Sequence, residues 1–217
     1  MLIDIHSHDP QIKPGQIKVF SVLLHPNTDF EELMNKLPVE TRISAGVHPW
    51  HASEWTVEHL SQLERILQHK RVDFIGEIGL DNVCMVPFQN QLPVFEFQLQ
   101  MAERMGKSVL IHNVGHLTEL LALKNKFKSI PAWILHGFRG KAAMVEQYVR
   151  NGFHLSFGDK YQIDALRACP IDHLFLETDN SKIDLNFLYK KIASDLEVSE
   201  KILIDSISKN GKALGIN

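Results

Sequence analysis

Short apolar runs alternate with segments of helical periodicity along most of the chain. The apolar runs contain three to eight residues, many of them β-branched, as is typical of buried strands. The pattern predicts eight strands, at residues 2–5, 17–24, 42–47, 74–78, 108–111, 132–135, 154–157 and 174–176. Helical periodicity predicts helices over residues 57–69, 91–105, 117–127, 141–150 and 199–214.

The strand runs are continuously apolar rather than alternating, which favours a parallel sheet buried on both faces. Eight such strands alternating with helices predict an α/β protein with a (β/α)8 TIM barrel, and an open doubly wound sheet is the alternative. With 217 residues the barrel would be compact, so helices should be short or missing after residues 17–24 and after Phe157. We expect a single domain over residues 1–217.

Composition and charge narrow the class of protein. A hydrophobic content of 44% and a charged content of 23% suit one sizeable core. The net charge of −3 excludes proteins that coat nucleic acid through bulk positive charge, so any nucleic-acid contact must be local. Cys84 and Cys169 are too few and too far apart for a disulfide framework, and a signal peptide or membrane span is not expected, so we predict a cytoplasmic protein.

Side chains that can bind metals follow several of the predicted strands. His6 and His8 lie one residue apart at the first strand, so their imidazoles point to the same face. The fourth, fifth, sixth and eighth runs lead to Glu77, His112, His136 and Asp179. A barrel gathers these strand ends at one mouth, where barrel enzymes have their active sites.

Each of these residues has an ordinary structural interpretation when it is taken singly. A buried histidine can bond a carbonyl group, and a carboxylate can cap a helix or a turn. Together, four histidines and two carboxylates in one ring would be costly to bury unless a cation bound them. The set suits two divalent ions that share a carboxylate and lie about 3.5 to 4 Å apart. We therefore predict a binuclear hydrolytic site.

Several segments resemble the TatD family of metal-dependent hydrolases in their order and spacing. They are residues 1–8, Gly46-Val47-His48-Pro49, residues 75–81, His136-Gly137-Phe138 and Glu177-Thr178-Asp179, with further agreement at Gln91, Phe95, Gln98, Leu99 and Ala102. The resemblance implies a distorted TIM barrel of the amidohydrolase superfamily and deoxyribonuclease activity, often 3′ to 5′ exonucleolytic. Single-stranded or nicked DNA is then the expected substrate, and no membrane or protein partner is predicted.

The same resemblance implies a ligand set and a mechanism. His6, His8 and Asp179 would bind one divalent ion, His112 and His136 the other, and Glu77 would bridge two ions of Zn²⁺, Mn²⁺ or Mg²⁺. Metal coordination lowers the pKa of water from about 15.7 towards about 7, and Asp179 is the candidate base. Asp179 and Glu77 are thus the candidate catalytic carboxylates.

The chain departs from the family pattern beside these residues. Relatives carry an arginine two residues after the fifth-strand histidine, whereas His112 is followed by Asn113 and Val114. Arg139 is a candidate replacement for phosphate binding, and a solvated loop charge is the alternative. After Asp179 the chain runs through residues 180–183 into a helix, without the proline and longer loop of relatives.

Residues after the third strand are further candidates for substrate contact. His48 and His51 flank Pro49 and Trp50, and a substrate, supporting or merely structural role is open for both histidines. Trp50 is a candidate platform for stacking a base. Two other functions stay open: hydrolysis of a small ester, amide or phosphoester on the same scaffold, and a non-catalytic metal-binding or interaction protein. The complete ligand set, with Asp179 retained, speaks against the last.

Overall fold

Strands and helices alternate through residues 1–216, which the computed structural model describes. The strands are β1 (Leu2–Ser7), β2 (Gln16–Leu23), β3 (Arg42–Gly46), β4 (Val72–Asp81), β5 (Val109–Val114), β6 (Trp133–Leu135), β7 (Phe153–Phe157) and β8 (Leu174–Leu176). They form one sheet in the order of the sequence, from β1 to β8. The eight predicted strands and the alternation with helices are confirmed, as a (β/α)8 fold requires.

Eight α-helices lie in the described residues. They are α1 (Phe30–Lys36), α2 (Leu60–Gln68), α3 (Phe88–Met105), α4 (Leu117–Lys126), α5 (Ala142–Arg150), α6 (Ile163–Ala168), α7 (Leu185–Asp195) and α8 (Glu200–Ala213). The expected shortening is confirmed, because α1 after β2 has seven residues and α6 after β7 has six. The predicted helix over residues 57–69 is divided into a 3₁₀ turn, Val57–His59, and α2. None of the helices within residues 1–216 is long and apolar enough to cross a bilayer.

The ends of three predicted strands were wrong. β4 continues to Asp81 and β5 to Val114, so Glu77 and His112 lie inside strands and not at their ends. β1 continues to Ser7 and includes His6, which the sequence placed after it. The predictions stopped where the apolar run stopped, whereas strand length is decided by pairing with the neighbouring strand.

The chain divides into two compact units. The terminal unit comprises residues 1–20 together with the chain from residue 134 onward, and the central unit comprises residues 21–133. Each unit has its own buried apolar residues, including Ile5 and Phe175 in the terminal unit and Ile75 and Leu110 in the central unit. The assignment of residues 1–217 to a single domain stays a prediction.

Within the terminal unit the first and last strands are neighbours. β8 pairs with β7 only as far as Leu176, opposite Phe157. Three residues further on, Asp179 forms a parallel bridge with Ser7 of β1. Asp179 therefore does not end β8, as the sequence predicted, but lies against the end of the first strand.

Within the central unit a glycine brings β4 close to β5. Gly79 pairs with His112, and a Cβ atom at Gly79 would lie 1.8 Å from the His112 carbonyl oxygen. Its φ of +152° also lies in the region that side chains disfavour. Only glycine therefore fits this point of the sheet, and the close approach fixes the backbone from which the His112 side chain projects.

Candidate metal centre

Three imidazoles of the terminal unit lie together. His6 is fully buried in β1, His8 directly follows that strand, and His136 directly follows β6. The His6 ring centroid lies 4.3 Å from that of His136 and 5.0 Å from that of His8. Neutral imidazole rings present nitrogen lone pairs, which are common ligands of divalent metal ions.

The backbone of β1 holds Asp179 beside these rings. The Asp179 amide donates to the His6 carbonyl oxygen at 2.9 Å, and the His8 amide donates to the Asp179 carbonyl oxygen at 3.2 Å. Asp179 has a φ of +50°, a left-handed conformation that aspartate tolerates better than most residues. The sequence segment around the two histidines thus positions the candidate catalytic carboxylate by direct main-chain pairing.

The side-chain distances in this cluster suit a cation between the groups. Asp179 Oδ1 lies 3.6 Å from His8 Nε2 and 3.8 Å from His6 Nε2, which is too long for a hydrogen bond. Two ligands that are each 2.0–2.1 Å from a tetrahedral zinc ion lie about 3.3 Å apart. The observed separations are close to that value.

Glu177 adds a buried carboxylate to the same cluster. Its Oε1 lies 3.4 Å from His136 Nδ1, and the side chain is almost completely buried. Its Oε2 has no hydrogen-bond partner among the residues that the structure describes. An unsatisfied buried carboxylate oxygen costs about 1–3 kcal/mol or more, and a nearby cation would remove that cost. This observation and the donor types together fit a divalent metal ion in the terminal unit.

The loop that carries Asp179 is anchored to β1 through Asp4. The Asp4 carboxylate accepts hydrogen bonds from the Thr178 amide at 2.9 Å and from the Thr178 hydroxyl at 2.7 Å. The Thr178 hydroxyl also lies 3.0 Å from Ser7 Oγ. Burial raises the pKa of Asp4 to about 7, although the bonds from Thr178 and the charge of Lys18 oppose this rise. Asp4 is thus a positioning residue for the neighbouring Asp179.

The central unit has a second cluster around Glu77. Glu77 Oε1 lies 2.9 Å from His112 Nδ1 and 3.1 Å from His48 Nε2. These three side chains place ligand atoms close enough together to hold a metal ion. The Trp50 amide donates to His48 Nδ1 at 3.2 Å, which assigns the ring proton to Nε2, facing Glu77. In this tautomer His48 donates a hydrogen bond to the carboxylate and orients it.

Asp81 stands on the other side of His112. Its Oδ2 lies 3.0 Å from His112 Nε2 and accepts a hydrogen bond from the Trp50 indole at 2.8 Å. Burial would raise the pKa of Asp81, but hydrogen bonds from Trp50, Val83 and His112 together lower it. The Gln91 side chain bonds both main-chain groups of Asp81 at 2.8 Å. The His112 ring thus lies between the carboxylates of Glu77 and Asp81.

A cavity of about 210 Å³ opens beside Asp179 in the terminal unit. Two basic side chains, Arg139 and Lys160, are among the residues that line it, together with Asp159 and Ser181. The Ser181 hydroxyl donates to the Asp159 carboxylate at 2.8 Å, which engages the acidic group within the wall. Arg139 thus lines a cavity with Asp179, and Lys160 is a second cation there that sequence analysis did not identify.

Comparison with known proteins identifies the family. The family model described as TatD related DNase matches residues 12–186. The chain belongs to the TatD family. The 3'-5' ssDNA/RNA exonuclease TatD of Erwinia amylovora is 34% identical over 146 residues, which are 63% of this chain and 56% of that protein. YabD of Bacillus subtilis, named an uncharacterized metal-dependent hydrolase, is 30% identical over 143 residues, or 62% of this chain and 56% of that protein. The chain thus spans about 56% of the length of these relatives.

Solved TatD structures share the fold. The crystal structure of YjjV, a TatD homologue from Escherichia coli, superposes with a TM-score of 0.84 and 19% identity, covering 98% of this chain and 97% of that one. A TatD-family hydrolase from Entamoeba histolytica gives a TM-score of 0.81 with 15% identity, over 98% and 97% of the two chains. The predicted (β/α)8 fold class and the resemblance to TatD hydrolases are confirmed.

Within each unit, the structure brings predicted site residues of this TatD chain together. The terminal cluster contains His6, His8, His136 and Asp179, and the central cluster contains Glu77, His48 and His112. Trp50 is joined to the central cluster through Asp81, and Arg139 lines the cavity next to Asp179. The role of each residue stays a prediction.

Sequence analysis did not single out Asp4, Asp81 or Glu177. Asp81 and Glu177 stand within the quoted motifs at residues 75–81 and 177–179, so their polar character next to apolar runs was an available signal. Asp4 gave a weaker signal, as a charged residue inside the apolar run of residues 2–5. Its partner Thr178 is 174 residues away in the sequence, and no local pattern reveals such a contact.

Proposed function

We propose that this TatD-family chain is a divalent-metal-dependent hydrolase that cleaves phosphodiester bonds of DNA, as a 3′ to 5′ exonuclease of single-stranded or nicked DNA. The observation that carries the proposal is the half-buried Asp179 carboxylate, held by the main chain of His6 and His8 beside three imidazoles. The name of the Erwinia amylovora relative supports the choice of substrate.

The ligand assignment follows the family order and the donor types present. His6, His8 and Asp179 would hold one ion, His112 and His136 a second, and Glu77 would be shared. Imidazoles suit Zn²⁺, and carboxylates with added water suit Mn²⁺ or Mg²⁺. Bound divalent ions would supply Lewis-acid activation of water and positive charge at the phosphate.

The side chains of the protein perform the remaining steps. Asp179 accepts the proton of the attacking water, because its carboxylate is partly exposed and reaches towards the cavity. Arg139 and Lys160 bind phosphate oxygens at the cavity wall, in place of the arginine that relatives carry after the fifth-strand histidine. His48 keeps Glu77 oriented through its Nε2 hydrogen.

Trp50 stacks against a base of the substrate. Its side chain is 56% exposed, yet its indole nitrogen is fixed to Asp81 at 2.8 Å. A fixed and exposed aromatic ring contributes about 1–3 kcal/mol per stacked base and tolerates any base. Such contacts suit a nuclease without sequence preference. They also suit a chain with a net charge of −3, which must hold nucleic acid by local groups.

The proposal is tested with a 5′-labelled single-stranded oligonucleotide. The protein is stripped with a chelator, and Mg²⁺, Mn²⁺ or Zn²⁺ is then added separately. We expect a ladder of products that shorten with time from the 3′ end. Intact DNA with every metal, from protein that binds about two ions, would contradict the nuclease function.

Hydrolysis of a small ester, amide or phosphoester is the second candidate function. It is favoured by Asn113 and Val114, which stand where relatives carry an arginine, and by the short connection from Asp179 to α7. If the oligonucleotide stays intact, release of chromophore from small phosphodiesters and carboxyl esters distinguishes the two functions.

Replacing Arg139 with alanine should slow DNA cleavage selectively. A charge-assisted hydrogen bond to phosphate contributes about 1.5–3 kcal/mol, so kcat/KM on the oligonucleotide should fall by about 10- to 100-fold. The matched control is Arg150→Ala in α5, whose side chain is exposed and pairs with Glu146. If the Arg139→Ala protein is as active as the Arg150→Ala control, Arg139 does not bind phosphate and is only a solvated charge in its loop.

A further inference from the structure

Two histidines and a glutamate meet in the central unit outside the candidate metal centre. His25 lies in the loop after β2, and His51 and Glu54 belong to the 3₁₀ helix Pro49–Glu54. Glu54 Oε2 lies 2.8 Å from His25 Nδ1, and Glu54 Oε1 lies 2.8 Å from His51 Nδ1. The two ring centroids are 4.2 Å apart. One ligand atom from each residue lies within 4.8 Å of the other two.

The main chain around this cluster is held by further bonds. The His25 amide donates to the Thr28 hydroxyl at 2.8 Å, and the Thr28 amide donates to the His25 carbonyl oxygen at 2.9 Å. The Pro26 carbonyl oxygen accepts a hydrogen bond from Gln62 of α2 at 2.9 Å. Ligands carried by such fixed turns lose little freedom when they bind an ion.

A hydrogen-bonded histidine pair on a carboxylate would also account for these distances. The hydrogen bond from His25 lowers the pKa of Glu54, burial opposes this shift, and the hydrogen bond from His51 lowers the pKa further. In that arrangement both rings donate a hydrogen to Glu54 through Nδ1. A divalent ion would instead accept the lone pairs of both rings, with their hydrogens on Nε2, and its positive charge would balance the negative charge of Glu54.

We propose that His25, His51 and Glu54 form an accessory site for a transition-metal ion, with Zn²⁺ as the best match. Two imidazoles and one carboxylate are ligands that zinc uses, and they are poor ligands for Mg²⁺ or Ca²⁺, which prefer oxygen. The His25 and Glu54 side chains are each 44% exposed and that of His51 is 26% exposed, so water completes the coordination. The ion is therefore exchangeable.

An ion bound by His25, His51 and Glu54 would immobilise the 3₁₀ helix Pro49–Glu54, which makes further contacts. The 3₁₀ helix begins after His48, whose side chain accepts the Trp50 amide and faces Glu77. The same helix carries Trp50, and Asn90 of α3 donates to its Ser53 at 3.0 Å. Bound zinc would link this helix to the loop after β2 and so raise the thermal stability of the chain.

The test compares zinc binding by wild type, His25→Gln and Glu54→Gln after removal of metals with a chelator. Calorimetric titration should show one zinc ion fewer per chain in each variant, however many ions the candidate metal centre takes. Loss of one of three ligands should weaken this site by at least about 100-fold. The zinc-dependent rise in Tm should fall in both variants. His69→Gln is the matched control, because His69 lies outside this cluster: its Nδ1 accepts from the Arg71 amide at 3.2 Å, and its Nε2 lies 4.0 Å from Glu31.

Histidine signals give a second readout. With ¹⁵N-labelled histidine, zinc should move the imidazole resonances of His25 and His51, and Mg²⁺ should leave them in place. Equal zinc stoichiometry and affinity in wild type and both variants, or unmoved signals at saturating zinc, would overturn the proposal. Nuclease assays with Mg²⁺ are independent of this outcome, because neither substitution alters the ligands assigned to the candidate metal centre.

Discussion

Replacing Asp179 with asparagine should reduce DNA cleavage by about 10²- to 10⁴-fold, the usual contribution of a general base. Asparagine has nearly the same shape and tolerates the φ of +50° found at this position. The main-chain bonds with His6 and His8 do not involve the side chain, so they should persist. The change therefore removes the proton acceptor and one anionic ligand atom while keeping the loop in place. The measurement is the initial rate of shortening of the labelled oligonucleotide.

The control for this experiment is Asp205→Asn, because Asp205 is an exposed carboxylate of α8 that pairs with Lys201. Circular dichroism and Tm should be similar for both variants and wild type. A rate within a few-fold of wild type in Asp179→Asn would exclude Asp179 as the base. The buried Glu177, whose Oε2 has no hydrogen-bond partner within residues 1–216, would then be the next carboxylate to substitute.

The sequence predicted the features that depend on local patterns. Each strand core is a short apolar run, and the pattern therefore located all eight strands. The short helices α1 and α6 have too few turns to show a period, and the sequence predicted only that helices there would be short or missing. The extension of β4 and β5 depends on Gly79 facing His112 across the sheet, a pairing between distant residues that no local pattern contains.

The candidate site shows the same difference between features set by local patterns and features set by contacts between distant residues. Residues that follow apolar runs and carry metal-binding groups could be listed from the sequence. The groups that orient them could not, because their roles arise from contacts between distant segments. Asp4 holds Thr178 across the ends of the chain, and Asp81 contacts His112 from the neighbouring strand. His48 was predicted near the site, but its hydrogen bond to Glu77 follows from the Trp50 amide that caps its other nitrogen.

These contacts suggest how a small chain can keep a precise ligand arrangement. In the terminal unit the segment that carries Asp179 is tied to β1, by the bonds of Thr178 to Asp4 and by the main chain of His6 and His8. In the central unit, the pairing of Gly79 with His112 and the bonds of the Gln91 side chain to Asp81 hold the strands that carry Glu77 and His112. Rigid elements rather than long loops thus position the ligands, which is compatible with the short connection after Asp179.

Replacing Glu77 with glutamine should have the second large effect, on metal binding as well as on cleavage. Glu77 is buried, and its Oε1 faces His112 at 2.9 Å and His48 at 3.1 Å. Glutamine preserves the volume but removes the negative charge that a shared ligand must supply to two cations. We expect metal affinity to fall by at least about 100-fold, since even residues that only orient a ligand contribute 10- to 100-fold. Metal content after dialysis and the cleavage rate at rising Mn²⁺ concentration measure the two effects.

Glu58→Gln is the matched control for this substitution, because Glu58 is an exposed glutamate of the same unit that bonds Thr56. If Glu77 bridges two ions, Glu77→Gln should lose both, and high Mn²⁺ should restore the rate only partly. If Glu77 serves a single ion, one ion should remain bound. Retention of both ions with a normal rate would mean that the carboxylate only orients His48 and His112, and the ligand set would have to be drawn from Asp81 instead.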